Sequence, residues 1–452
     1  GIVIAGEPRL ETELKSSLTR FANRMDFYYK LKGLNQNEVK DYLEGFEIDE
    51  AAMGELISRA TNNNNGCFRL LDRTLNNVLR VLKERGIKKV LIHFGGGSVV
   101  KSGLLGVVEA SLEAHGIHFV ELGGVQPNPR LSLIRKGIEL ARKENVDMVL
   151  SVGGGSALDS SKAISYGVCY DGDVWDVYGR HVAPKASLPV GCIITLAATG
   201  SEMSNSSVVT NDEVTPNEKV GCNSNLGRPS VAFMNPELTY TVSAYQTGCG
   251  SVDIMMHTLE RFFHAGPAFE FTDQSCANVL RTVLKYTKVA LENPCNYEAR
   301  ANIMWAGTVS HNGFNNIGYD SIGDWACHRM EHELSAFYDV SHGAGLAAIW
   351  GSWARYVASV DYHRFAYLGE LVFGLKFDDC KVACEKTIEA FEACFESMGM
   401  PTSLRKLGLD LSNEDVKALA NAASRGGTVK LGNFKILEKD DMYRIYKVAN
   451  DR

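Results

Sequence analysis

The chain has 452 residues, 45% of them hydrophobic, and a formal net charge of −7, enough material for two or three domains with their own cores. No apolar run approaches a membrane span, and the overall charge suggests no nucleic-acid partner. The 11 cysteines form no CxxC pair and no regular framework, which argues against a disulfide scaffold and fits a reducing, cytoplasmic setting. No signal peptide is visible, although Gly1 in place of Met suggests a truncated or processed start.

Within residues 1–85, Asn62 to Asn65 reads as a loop. Leu70, Leu71, Leu75, Val78, Leu79 and Leu82 recur at helix spacing, a stripe expected to pack on the domain that follows. Gly1-Ile2-Val3-Ile4-Ala5-Gly6-Glu7-Pro8 and Phe68-Arg69-Leu70-Leu71 resemble the late part of an AAA+ ATPase of the transposition-helper type, the second segment falling in its helical lid. No GxxxxGK[ST] occurs in the chain, so this piece cannot hold ATP by itself.

From residue 86 the pattern changes. Val90-Leu91-Ile92, Val146 to Leu150 and Val190 to Ile194 are apolar, β-branched runs that alternate with helix-period segments, as βα units do. The first ends in Gly95-Gly96-Gly97-Ser98 and the second in Gly153-Gly154-Gly155-Ser156, followed by Asp159-x-x-Lys162. A strand that runs into glycines and then a helix start lets backbone N–H groups and the helix dipole hold a pyrophosphate. The spacing is not GxGxxG, which disfavours an ordinary Rossmann dehydrogenase. Residues 86–245 are therefore expected to form a dinucleotide-binding domain on a parallel sheet.

After about Tyr245 long amphipathic segments take over, for example Asp273 to Glu292 and Cys380 to Met398, so residues 246–452 are expected to be helical. Asp253 and His257, four apart, share a helix face. His328, His332 and His342 follow in one Gly/His-rich stretch. One oxygen and three nitrogens, from Asp253, His257, His328 and His342, suit Fe²⁺ or Zn²⁺ better than Ca²⁺ or Mg²⁺. Ligands carried on such helices meet in a bundle interior.

Several motifs agree in order: His93 to Ser98, Gly123 to Pro129, the Gly153 loop, Thr195 to Glu202, Asp253-x₃-His257, Ser310 to Gly313, and His328 to His342. Through them residues from about 86 to the end resemble the iron-containing alcohol dehydrogenase family, in its NADPH-dependent butanol dehydrogenase branch. The resemblance implies the dehydroquinate-synthase-like fold, an α/β dinucleotide-binding domain with a parallel sheet and then an all-helical metal-binding domain. It makes Asp253, His257, His328 and His342 the metal ligands, and sets His332 near the substrate as a catalytic proton relay. Gly96, Gly97 and Ser98 would lie at the adenosine ribose, with Asn128, Gly154, Gly155, Ser156, Asp159, Thr195, Thr199, Ser201 and Lys219 along the rest of the cofactor. The first loop has no carboxylate, while Ser98 and Lys101 favour a 2′-phosphate, so NADP(H) is expected over NAD(H).

The expected reaction is hydride transfer to or from a small aldehyde or primary alcohol, by a homodimer with no membrane or nucleic-acid partner. Two other classes stand beside it. One is a lyase or synthase of the dehydroquinate-synthase type, against which the Asp/His₃ set argues. The other is a transposition-associated regulatory fusion with a passive dehydrogenase part. Family members normally begin with a strand and a short hairpin, replaced here by residues 1–85, for which Gly1 to Ala5 is a candidate substitute strand.

Overall fold

The computed structural model describes Lys40 and residues 86–452. The AAA+-like segments, the Leu70 to Leu82 stripe and the substitute strand at Gly1 to Ala5 lie outside the described residues. Gly86–Glu109 and Ile117–Arg452 form one compact unit.

The β-branched runs become strands β1 (Lys89–Gly95), β2 (His118–Val125), β3 (Met148–Gly153) and β4 (Val190–Ile194). Every residue of β3 and β4 is buried, as a parallel sheet covered on both faces requires. Strands β5 (Ser206–Asn211) and β6 (Glu218–Asn223) form an antiparallel hairpin, and β7 (Val231–Phe233) joins the main sheet. The order is β2-β1-β3-β4-β7 with every pair parallel. From β1 the chain steps out to β2 and then returns to β3 on the other side. The strand order reverses there, and open α/β sheets bind ligands beyond the carboxyl ends of their strands at such a point. With Phe94 paired to Val152, the two glycine loops leave the sheet side by side. Helices α1 (Leu131–Glu144) and α2 (Gly155–Val168) pack on the strands, burying Leu91, Ile134, Val149 and Ile164.

From Ala244 onward the described elements are helical: α3 (Ala244–Phe262), α4 (Glu270–Glu292), α5 (Tyr297–His311), α6 (Ala326–Tyr338), α7 (His342–Val357), α8 (Tyr362–Phe373), α9 (Cys380–Ser397), α10 (Asn413–Ala423) and α11 (Lys439–Asp451), besides single 3₁₀ turns. Ser243 caps α3 by accepting from Gln246 N–H. Each residue from Thr247 to Phe262 is buried, so α3 is the central helix, and its polar side chains face protein instead of water. Ile254, Phe262, Phe263, Trp350, Trp353 and Phe391 fill the core around it. No described helix is long and apolar enough to cross a membrane.

One buried group ties the sheet to acidity. His93, fully buried on β1, has Nδ1 2.7 Å from the Leu122 carbonyl and Nε2 2.7 Å from Ser160 Oγ. The carbonyl can only accept, so Nδ1 carries the proton and Nε2 accepts from the serine. Burial holds the imidazole down at about 4, against 6.5 unfolded, with the Leu122 carbonyl working the other way. A depressed folded pKa gives stability that is present above pH 6.5 and lost as pH falls through 4, here about 3 kcal/mol. Urea unfolding between pH 7 and pH 4 is expected to show that loss in the wild type and a correspondingly shallower one in His93→Gln. Equal slopes would contradict it.

Candidate functional site

Asp253 and His257 project from one face of α3, His328 lies near the start of α6, and His342 is the first residue of α7. Helix α7 comes this close because Gly343 follows: a Cβ there would stand 2.1 Å from the Cys249 carbonyl oxygen, one turn before Asp253. The Nε2 atoms of His257, His328 and His342 lie 3.7, 3.7 and 3.6 Å from Asp253 Oδ1. These separations are too long for hydrogen bonds. Four donors each about 2.1 Å from one tetrahedral ion stand about 3.4 Å apart; the distances from Asp253 Oδ1 are close to this, and Asp253, His328 and His342 offer ligand atoms all within 4.8 Å of one another, a set that His257 joins through its approach to the carboxylate. Asp253 Oδ1 and His328 Nε2 are buried with no hydrogen-bond partner, an expense that coordination would remove. The residues thus fit a borderline divalent ion such as Fe²⁺ or Zn²⁺.

Carboxylates stand behind two of the imidazoles. Glu260 Oε1 lies 3.0 Å from His328 Nδ1 and accepts the His328 backbone N–H at 2.9 Å. Glu331 Oε2 makes a short hydrogen bond with His342 Nδ1 and lies 3.5 Å from Lys219 Nζ, while Ser335 Oγ donates to Oε1. Burial alone would raise the Glu331 carboxyl, but His342 and Lys219 beside it bring it down to about 2. Burial likewise would lower His328, yet the Asp253 and Glu260 carboxylates outweigh it and lift the imidazole to about 9, a field that favours positive charge. His257 is held well below the ordinary range by burial and then by His311 and His328. Its ring centroid is 4.1 Å from that of His311, whose Nδ1 donates to the Thr199 carbonyl at 2.8 Å. Trp325, in the left-handed region at φ 63°, sets its ring 5.1 Å from His328 and 5.7 Å from His311, with the buried Arg261 guanidinium 4.6 Å above it. His332, one turn after His328, has its ring 5.8 Å from His342 and is held well below the ordinary range by burial and then by Lys219.

Gly96, Gly97 and Ser98 follow β1, Gly154, Gly155 and Ser156 follow β3, and Thr195 and Thr199 follow β4, so all eight sit beyond the carboxyl ends of adjacent strands. No side chain caps α2, leaving its first N–H groups for an anion. A Cβ at Gly155 would meet Thr199 Cγ2 at 2.3 Å, so the loop after β4 rests directly on this helix start. The other four expected cofactor residues also make contacts within the protein. Ser201 Oγ donates to Asp159 Oδ1 at 2.7 Å, and Val208 N–H to Oδ2 at 3.0 Å. Asn128 Nδ2 donates to Asp339 Oδ1 at 3.0 Å. Lys219 faces Glu331 and His342.

Sequence reasoning missed Glu260, Glu331, His311 and Trp325. The first two had a usable signal, since each lies three residues after a histidine ligand candidate on the same helix, within reach of one helical turn.

Comparison with known proteins decides the family. The profile "Iron-containing alcohol dehydrogenase" matches residues 70–236 and "Fe-containing alcohol dehydrogenase family, C-terminal" matches residues 247–450. The chain belongs to the iron-containing alcohol dehydrogenase family. It is accordingly an alcohol dehydrogenase-type, NAD(P)-dependent oxidoreductase, and the lyase alternative is set aside. Among its relatives, NADH-dependent butanol dehydrogenase A of Clostridium acetobutylicum is 40% identical, over 81% of this chain and 93% of that protein. The NADPH-dependent aldehyde reductase YqhD of Escherichia coli is 32% identical, over 80% and 92%. The crystal structure of a protein titled NADH-dependent butanol dehydrogenase A from Thermotoga maritima superposes with a TM-score of 0.79 at 37% identity, covering 83% of this chain and 94% of that one. The family match begins at residue 70, ahead of the start near residue 86 read from motifs, and lends nothing to the AAA+ resemblance.

Proposed function

We propose that this chain transfers hydride reversibly between NADP(H) and a small aldehyde or primary alcohol at the Asp253/His257/His328/His342 cluster. The observation that carries the reading is the convergence of three imidazole Nε2 atoms, each within 3.7 Å, on one buried, unpartnered carboxylate oxygen. A divalent ion held by these four residues supplies Lewis acidity to the carbonyl or alcohol oxygen. Asp253 provides the anionic donor, and Glu260 orients His328 through its Nδ1. Trp325, His311 and Arg261 pack beside the cluster and exclude water from it. His332 is the candidate to pass a proton to or from the substrate oxygen, because it is a neutral imidazole close to His342. The glycine loops after β1 and β3, with the uncapped α2 start, hold the dinucleotide.

Cofactor choice rests on the loop after β1. The one-turn helix Ser98–Lys101 has no acidic residue in its first turn and ends on Lys101, and the space over Gly96 and Gly97 is open. That combination accepts a 2′-phosphate, whereas a carboxylate at this point would bind the ribose hydroxyl and repel the phosphate. Relatives are named for each cofactor, so kinetics must decide. A higher kcat/KM with NADPH than with NADH on butyraldehyde is the expected result. Gly96→Asp, at an ordinary φ with free space around it, is expected to shift the ratio at least about tenfold toward NADH, equivalent to about 1.4 kcal/mol. A wild-type preference for NADH would refute the cofactor reading. No reduction of short aldehydes with either cofactor, in metal-loaded enzyme, would refute the reaction.

A further inference from the structure

We propose that Glu331 is a positioning residue for His342 and that Lys219 is its buried counter-charge, so that strand β6 helps to set the metal centre from outside the ligand helices. The inference rests on the metal-centre reading above. Glu331 is fully buried and Lys219 is 8% exposed, so neither charge is free to turn to water. A carboxylate behind an imidazole fixes its tautomer: with the Nδ1 proton bound to Glu331, the Nε2 lone pair of His342 faces Asp253 Oδ1 at 3.6 Å.

Glu331, His332 and His342 also lie within ligand distance of one another, 4.8 Å or less, and could pass for a second cation site. The Lys219 ammonium, 3.4 Å from His342 Nδ1 and 3.5 Å from Glu331 Oε2, already fills that space with positive charge. Glu331 Oε1 is taken by Ser335. The cluster therefore acts through His342.

His342 differs from the other three ligand candidates in how it is placed. Asp253 and His257 are fixed by the central helix α3, and His328 by Glu260 on the same helix. His342 begins a helix after a loop, and residues of the sheet portion hold that loop. Asn128 donates to Asp339 Oδ1 and to the Val340 carbonyl, at 3.0 and 3.4 Å, and Arg130 donates to Asp339 at 2.7 Å. Lys219 comes from β6, whose partner strand is tied to the same segment where Thr210 N–H meets the Pro129 carbonyl at 2.8 Å.

The test is Co²⁺ affinity by competition with a chromophoric chelator, the cobalt d–d spectrum, and thermal unfolding of the metal-free chain. The proteins are wild type, Glu331→Gln, the double variant Glu331→Gln/Lys219→Met, and His328→Ala. Glu331→Gln leaves Lys219 buried without a carboxylate, so its metal-free Tm is expected to fall. The double variant removes both charges, and its metal-free Tm is expected to return close to wild type. Its Co²⁺ affinity is expected to stay about 10- to 100-fold weaker, the range for losing such an outer partner, with a shifted d–d spectrum. A double variant that binds Co²⁺ as tightly as wild type, while His328→Ala does not, overturns this inference alone. A wild-type chain that takes up no Co²⁺ removes the metal centre and this inference together.

Discussion

Asp253→Asn is expected to lower turnover by about 10³-fold or more while leaving the metal-free protein as stable as wild type, since Lewis-acid stabilisation of several kcal/mol is lost at about 1.4 kcal/mol per tenfold. The stability half follows from burial. Asp253 Oδ1 has no hydrogen-bond partner, so replacing the carboxylate with a carboxamide of the same shape breaks no hydrogen bond made through that atom and leaves no cavity. The two effects separate in one experiment. Adding Fe²⁺ or Zn²⁺ should raise the wild-type Tm by mass action and leave that of Asp253→Asn nearly unmoved. A metal-free Tm well below wild type would mean that Asp253 serves folding, and retained turnover would remove it from the site.

The second large effect is expected in stability. Arg364 on α8 donates to both Asp273 oxygens on α4, at 2.8 and 2.5 Å. It also donates to the Phe262 carbonyl at the end of α3, at 3.2 and 2.7 Å, with its guanidinium carbon 3.6 Å over the Phe262 ring. Asp273 is fully buried and accepts from Tyr319 as well. One guanidinium thus closes the carboxyl end of the helix that carries Asp253 and His257, where a cation also meets the negative end of the helix dipole. Asp273→Asn should cost about 3–5 kcal/mol, because it strands a buried cation. Asp273→Leu/Arg364→Met should cost less than the two single changes summed. Denaturant unfolding checks both. A loss below about 1 kcal/mol for the single variant would match an exposed pair and contradict this one.

Much of this architecture was legible in the residues. β1, β3 and β4 announced themselves because a sheet buried on both faces needs continuous apolar runs. The switch to helices near Tyr245 was visible as a change of period. Asp253 and His257 could be paired because a spacing of four on a helix is already three-dimensional information. Other features had no such local mark. The hairpin of β5 and β6 is half polar, as Ser206-Ser207-Val208-Val209-Thr210-Asn211 illustrates, so the strand that delivers Lys219 went unread. Asp159, Asn128 and Ser201 sit in loops or at a helix start of the cofactor kind, and no local pattern shows that Ser201 and Val208 N–H also donate to Asp159, or Asn128 to Asp339. His311 reaches His257 from fifty-four positions away, through a packing of α5 on α3 that no periodicity encodes.

One divalent ion is expected between Asp253, His257, His328 and His342 in the loaded enzyme. Anomalous diffraction from crystals of the cobalt-loaded enzyme tests it most directly. A single strong peak per chain is expected, about 2.1 Å from Asp253 Oδ1 and from the Nε2 atoms of the three histidines. No peak there, or a peak held by Glu331 and His332 instead, would contradict it.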